Sequence, residues 1–148
     1  MNTKASFTGS FQPRDGQTLK VVRVAQVTAE PQASDALNGQ LATIENYIKG
    51  QYGGEVEFID IAMRGGDAQL EREKYQELFR IIKCQSADVV IAEDQSRFGR
   101  FRNKFHQLLN LCFGCGVRLI GISDQFDTAT VYSRISTNGL VANVAEAS

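Results

Sequence analysis

The amino-acid sequence predicts an α/β domain of three layers: a mostly parallel central sheet of four to five strands with helices on both faces. Three observations predict it. β-branched apolar runs alternate with segments of helical periodicity along the chain. The runs are apolar nearly throughout, as strands covered on both faces are. Breaks at Pro31, Gly53-Gly54, Gly65-Gly66 and Gly114 to Gly116 separate most of the successive units.

Residues 1–18 carry Gly9, Pro13 and Gly16 without periodicity and read as a flexible N-terminal tail. Leu19 to Ala25 is a buried first strand. Past Pro31, Ser34 is placed to cap a helix in which Leu37, Leu41, Ile44 and Ile48 recur at helical spacing, and Gly53-Gly54 ends it. Val56 to Ile61 is the second strand and Gly65-Gly66 a loop. A second helix puts Tyr75, Leu78, Phe79 and Ile82 on one face, and Asp88 to Ala92 is the third strand. Phe101, Phe105, Leu108, Leu109 and Cys112 form a third helical stripe, closed by Gly114 and Gly116. Val117 to Ile122 is the fourth strand, and the end of the chain reads as helical from Gly139 onward.

The chain has 148 residues, enough for one domain with a real core, and 43% of them are hydrophobic against 22% charged. That balance excludes a disordered chain, and no apolar run approaches the roughly 20 residues that span a bilayer. The first eighteen residues lack the apolar core of a secretory signal, so a cytoplasmic location is expected. Three cysteines are too few for a disulfide framework, and Cys112-x-x-Cys115 has no second ligand pair for zinc. His106, the only histidine, has no carboxylate or thiol at ligand spacing and reads as an ordinary helix residue. No metal and no cofactor is expected.

A net charge of −1 argues against binding nucleic acid by bulk electrostatics. Its distribution is uneven. No acid lies between Asp94 and Asp124, whereas Arg97, Arg100, Arg102, Lys104 and Arg118 do. Such a basic zone suits either a local anion site or a solvated helix face.

In open parallel sheets ligands sit beyond the carboxyl ends of the strands. That rule gathers Val24 to Thr28, Arg64 to Asp67 and Glu93 to Arg100 around one crevice. Arg23 ends the first strand, Arg72 opens the second helix, and Arg97 and Arg100 share a face at the start of the third. Arginine forks bind phosphate oxygens in pairs and stay charged at any working pH. Held together, they would stabilise a transferring phosphoryl group without a metal.

At these residues the sequence resembles the serine site-specific recombinases, the resolvase and invertase superfamily. Their first strand ends Tyr-x-Arg-x-Ser, and Val21, Arg23 and Ala25 stand in those places. Ser34 to Gln40 is similar to the Ser-Ser-Ile-x-x-Gln of the large serine recombinases. The glycine loop and Arg-Pro-x-Phe-x-x-Leu helix start are matched by Gly65-Gly66 and by Arg72 to Leu78. Asp94-Gln95-Ser96-Arg97-Phe98-Gly99-Arg100 is similar to their Asp-x-Ser-Arg-Phe-x-Arg. Gly116-Val117, Asp127-Thr128 and the closing Asn143 to Glu146 follow in family order, the last resembling the start of a long dimer-forming helix. The similarity covers about residues 19–148.

The resemblance implies a resolvase-like catalytic domain over 19–132 and the start of the dimerisation helix over 133–148. It implies DNA strand cleavage and exchange through a 5′-phosphoserine intermediate. Arg23, Arg72, Arg97 and Arg100 would be the catalytic arginines, and these four with Gln40 would bind the DNA phosphate. The implied partners are a double-stranded recombination site and further copies of the chain in a dimer or tetramer; these 148 residues alone are expected as a monomer or weak dimer. The C-terminal DNA-binding region of the family is expected to be absent.

The departures bear on chemistry. The nucleophile position is Ala25, which has no oxygen to attack phosphorus. The family tyrosine is Val21, and the proline after the second-helix arginine is Glu73. The implied reading is therefore a domain inactive in cleavage. The alternative is a non-catalytic DNA-binding or dimerising regulatory remnant of a mobile-element recombinase. A phosphoacceptor domain is excluded, because Val24-Ala25-Gln26 offers no acids for magnesium; a dinucleotide fold is excluded because no GxGxxG follows the first strand.

Overall fold

The computed structural model describes residues 10–27, 33–98 and 102–130. Five strands form one sheet in the order β2-β1-β3-β4-β5. β1 is Thr18–Val27, β2 Glu55–Arg64, β3 Val89–Ala92, β4 Arg118–Gly121 and β5 Phe126–Asp127. The first four are parallel and β5 runs antiparallel to β4. α1 (Ala33–Gln51), α2 (Ala68–Lys83) and α3 (Arg102–Cys115) alternate with them.

Right-handed crossovers dictate where the helices go. The chain steps one way from β1 to β2 and back across β1 to β3, so α1 covers one face and α2 and α3 the other. The side chains follow. Leu19, Val21, Val89, Ile91 and Ile120 pack with Ile44 and Ile48 of α1. Val22, Val24, Val90 and Leu119 pack with Tyr75 and Leu78 of α2 and Leu108 of α3. β1 is central, with both faces covered, which is why its run is apolar nearly throughout.

The elements end for identifiable reasons. Asp67 caps α2 by accepting from the Leu70 N–H at 3.0 Å. Gly116, with φ of +69°, ends α3, and the Val117 N–H returns to the Cys112 carbonyl at 2.9 Å. The β4–β5 end is fixed by the Asp127-Thr128 pair. Asp127 takes two bonds from Arg118, at 2.9 and 2.7 Å, and Thr128 Oγ1 accepts from the Leu119 N–H at 2.9 Å.

Several expectations need correction. Residues 10–17 are not a loose tail: Phe11 is buried in the α1-side core beneath the Arg118 guanidinium, 4.5 Å from its ring centroid. Arg14 reaches the Cys115 carbonyl at 3.0 Å, and its own N–H donates to Asp88 at 2.8 Å. Ser34 lies inside α1 rather than capping it. β2 runs three residues past the expected end, to Arg64, because β1 continues beside it to Val27. Phe79 is only partly buried, beside Tyr75. Arg97 stands not on the third helix but on a separate 3-10 turn, Gln95–Phe98, anchored by the fully buried Phe98. Residues 131–148, with the expected closing helix, lie outside the described residues, as do Thr28 and Arg100.

Candidate functional site

The strand order reverses between β1 and β3, and the crevice at such a point is where ligands of open α/β sheets bind. β3 stops at Ala92, opposite Val24, whereas β1 runs on to Val27. Alternate residues of a parallel strand turn their backbone groups to opposite neighbours. Past Val24, then, the β3-side N–H and carbonyl of β1 at Gln26 have no strand to pair with.

Side chains complete that ladder. Gln40 of α1, buried at 5% exposure, accepts from the Gln26 N–H at 3.1 Å and donates to the Gln26 carbonyl at 3.0 Å. Arg97 Nη1 donates to the same carbonyl at 3.1 Å. Gly65 closes the β2 side, donating its N–H to the Val27 carbonyl at 2.7 Å. Helix, 3-10 turn and glycine loop thus meet on the two residues after Ala25. Ala25 itself is fully buried on β1, opposite Ala62 of β2.

The arginines are paired with acids. Arg23 is clamped by Asp60 of β2 in a two-point bond, Nε to Oδ1 at 2.6 Å and Nη2 to Oδ2 at 2.9 Å. Its guanidinium lies 4.4 Å from the Phe58 ring centroid, its Nη1 donates to the Leu41 carbonyl at 3.4 Å, and Glu45 stands 3.5 Å away. Lys49, donating to Glu45, holds that carboxyl below its ordinary pKa, with Arg23 adding to the effect. Arg97 faces Glu93 at 3.4 Å and Asp94 at 3.9 Å. Asp94 accepts from both the backbone N–H and the hydroxyl of Ser96, which sets the 3-10 turn. Asp124 fixes the same loop from β4's end, accepting from the Gln95 N–H at 2.9 Å.

Of the sequence-predicted site residues, Gln40 and Arg97 are brought together on Gln26, next to Ala25, while Arg23, two residues before Ala25, turns to Asp60 and Leu41. Arg72 is not. It lies in the second turn of α2, exposed, and makes no hydrogen bond or ion pair among the described residues. Gln40 is engaged at both polar atoms with Gln26, so it holds β1 rather than standing open to a ligand. Asp60 and Glu45 were missed, and Gln26 and Glu93 fell within the expected crevice without a role. Asp60 left a signal, an acid inside the apolar run Phe58 to Ala62 and in register with Arg23. Elsewhere, burial pushes the Cys112 thiol up from its ordinary range, with Cys115 adding, so that CxxC is no poised redox pair.

The fold is a mostly parallel α/β domain with Arg97 at its strand switch. Residues 21–148 match the family described as resolvase, N-terminal domain, and the chain belongs to that family. Solved structures agree in fold. The N-terminal catalytic domain of TP901-1 integrase is 20% identical, with 81% of this chain and 96% of that chain covered and a TM-score of 0.63. The C-terminal catalytic domain of ISC1926 TnpA, an IS607-like serine recombinase, is 26% identical over 80% of both chains, with a TM-score of 0.57. A resolvase family site-specific recombinase from Streptococcus pneumoniae is 19% identical, covered to 82% here and 87% there, with a TM-score of 0.58. No curated protein matches the chain in sequence. No described helix is long and apolar enough to cross a membrane.

Proposed function

We propose that this domain handles DNA phosphate in the manner of a serine recombinase but does not cleave. The observation that carries the reading is the end of β1. Gln40 and Arg97 meet there on Gln26, with Arg23 three residues upstream on the same strand, and the residue at the nucleophile position, Ala25, offers only a methyl group. In the family reaction a serine oxygen attacks phosphorus, the 3′ oxygen leaves, and a 5′-phosphoserine bond forms. With alanine that bond has no atom to form from. Arg97 would hold the phosphate, and the family roles of Arg72 and Arg100 would require Arg72 to be carried to it from its exposed place on α2.

A second reading is a non-catalytic module of a mobile-element recombinase that binds DNA or pairs with copies of itself. The pairing of Arg23 and Arg97 with acids favours its self-pairing form, because a crevice with little net positive charge attracts a polyanion weakly. Cytoplasmic location and double-stranded DNA and sister chains as partners belong to both readings.

The test fuses a DNA-binding domain of known site after Ser148 and supplies a nicked duplex carrying that site. We expect no covalent protein–DNA band on a denaturing gel from the Ala25 fusion. A band there would overturn the inactive reading. A band only from Ala25→Ser would confirm the position of the nucleophile, and none from either, despite DNA binding, would favour the non-catalytic module.

A further inference from the structure

We propose that Glu93 is an internal competitor for the anion that Arg97 binds. Its carboxylate occupies the guanidinium until a phosphodiester displaces it. The inference rests on the phosphate-handling reading above and adds to it a residue that sets affinity.

The two crevice arginines are held differently. Arg23 is locked: its side chain is 13% exposed, its bonds to Asp60 are short and paired, and an aromatic ring covers it. Arg97 is held loosely. Its side chain is 34% exposed, and its contact with Glu93 is a single one of 3.4 Å, near the limit for a hydrogen bond. Its Nε makes no hydrogen bond and faces only Asp94 Oδ2 at 3.9 Å, so the guanidinium is loosely paired on that side as well. A phosphate oxygen pair accepts from two guanidinium N–H groups at once, which one distant carboxylate oxygen does not.

Of the acids near Arg97, only Glu93 can yield. Asp94 is held in place by the two Ser96 bonds to its Oδ1 at the start of the 3-10 turn, and its Oδ2 stays 3.9 Å from Arg97. The Glu93 backbone is fixed, its carbonyl accepting from both the N–H and the hydroxyl of Ser123 at 2.8 Å. Its side chain is 31% exposed and bonded to nothing but Arg97 among the described residues. Displacement therefore breaks one long ion pair and leaves the Arg97 bond to the Gln26 carbonyl, which keeps the arginine at the strand switch.

The experiment titrates the whole chain with inorganic phosphate at low ionic strength, following arginine Nε–Hε signals in 1H–15N spectra. Glu93→Gln should bind phosphate roughly three to five times more tightly than the parent, the range a partly exposed ion pair represents. Glu93→Ser, which also removes the side chain's reach, should give the same gain. Glu57→Gln, an equal charge change on the exposed edge strand, should give none. The gain should vanish when Arg97→Gln is added. Equal affinity in the parent and both Glu93 variants, with binding lost in Arg97→Gln, would overturn the role of Glu93 while leaving the phosphate reading intact. So would a gain in Glu57→Gln matching that of Glu93→Gln. Absence of phosphate binding in every variant would overturn both.

Discussion

Gln40 and Gln26 are joined twice, side-chain amide to backbone amide, at 3.1 and 3.0 Å, in the place where a neighbouring strand would otherwise pair. The side chain of α1 thus acts as one more rung of the sheet. A backbone N–H and carbonyl buried without partners cost about 1–3 kcal/mol each. Gln40→Ala should therefore destabilise the fold by about 2–3 kcal/mol in urea unfolding, Arg97 still satisfying the Gln26 carbonyl in part. Gln40→Glu should cost as much or more, because it sets a carboxylate oxygen against that carbonyl. A neutral Gln40→Ala would mean that water fills the gap.

The Arg23–Asp60 pair makes a different prediction. It joins β1 to β2 across the register and lies under α1, so its loss loosens a three-way junction. Asp60 is 42% exposed, which limits the cost. Asp60→Asn should lower stability by about 1 kcal/mol, and Arg23→Lys, which cannot make the paired contact, by about 1–2 kcal/mol. Raising salt from 0.05 to about 0.5 M should shrink the Asp60→Asn difference only in part, because a pair this close is incompletely screened. Equal stability of Arg23→Lys and parent would remove the locked role assigned to Arg23.

How much of this was legible in the sequence depended on what each feature rests on. Strands and helices rest on apolar periodicity, and Val21 to Val24 or Tyr75 to Ile82 show theirs openly. The arginines near the crevice followed from the same periodicity through the rule for open sheets. Their partners did not. Glu93 and Asp94 look like ordinary loop acids until the 3-10 turn folds Arg97 back over them, and that turn depends on Ser96 bonding Asp94. β5 is two residues long, below any periodic signal, and exists because Asp127 finds Arg118. Phe11 was hidden among Pro13, Gly16 and polar neighbours, yet one buried ring is enough to tie the segment down.

Gly121 ends β4 close against the loop that carries Arg97. A Cβ there would lie 2.6 Å from Asp124 Oδ1 and 3.1 Å from the Gln95 N–H nitrogen. Asp124 would have to turn away, giving up its bond to the Gln95 N–H and freeing the loop that carries Arg97. Gly121→Ala should cost about 1–3 kcal/mol, as overpacking does. It should also broaden the Arg97 Nε–Hε signal, whereas Gly39→Ala, on α1 with open space around it, should be neutral or slightly stabilising. An unchanged thermal midpoint for Gly121→Ala would show that the β4 end is not the support of that loop.

The last prediction concerns Ala25→Ser as a question of stability, apart from cleavage. Ala25 is fully buried and sits opposite another alanine, Ala62. A serine hydroxyl in that place must find a partner or lose its hydration. An unpaired buried hydroxyl costs about 1–3 kcal/mol by the measure of protein mutations. Its nearest strand neighbours along the same face, Arg23 and Val27, offer none: the guanidinium of the first is committed to Asp60 and the second is apolar. We therefore expect Ala25→Ser to lower the urea-unfolding free energy by about 1–2 kcal/mol, with an unchanged m-value. Ala25→Cys, larger but indifferent to hydrogen bonding, separates crowding from polarity. If both lose stability alike, the site is merely tight. If serine alone loses, the pocket has closed around a methyl group. If serine is neutral or stabilising, a polar group is in place there for a hydroxyl, as the nucleophile position proposed for residue 25 requires.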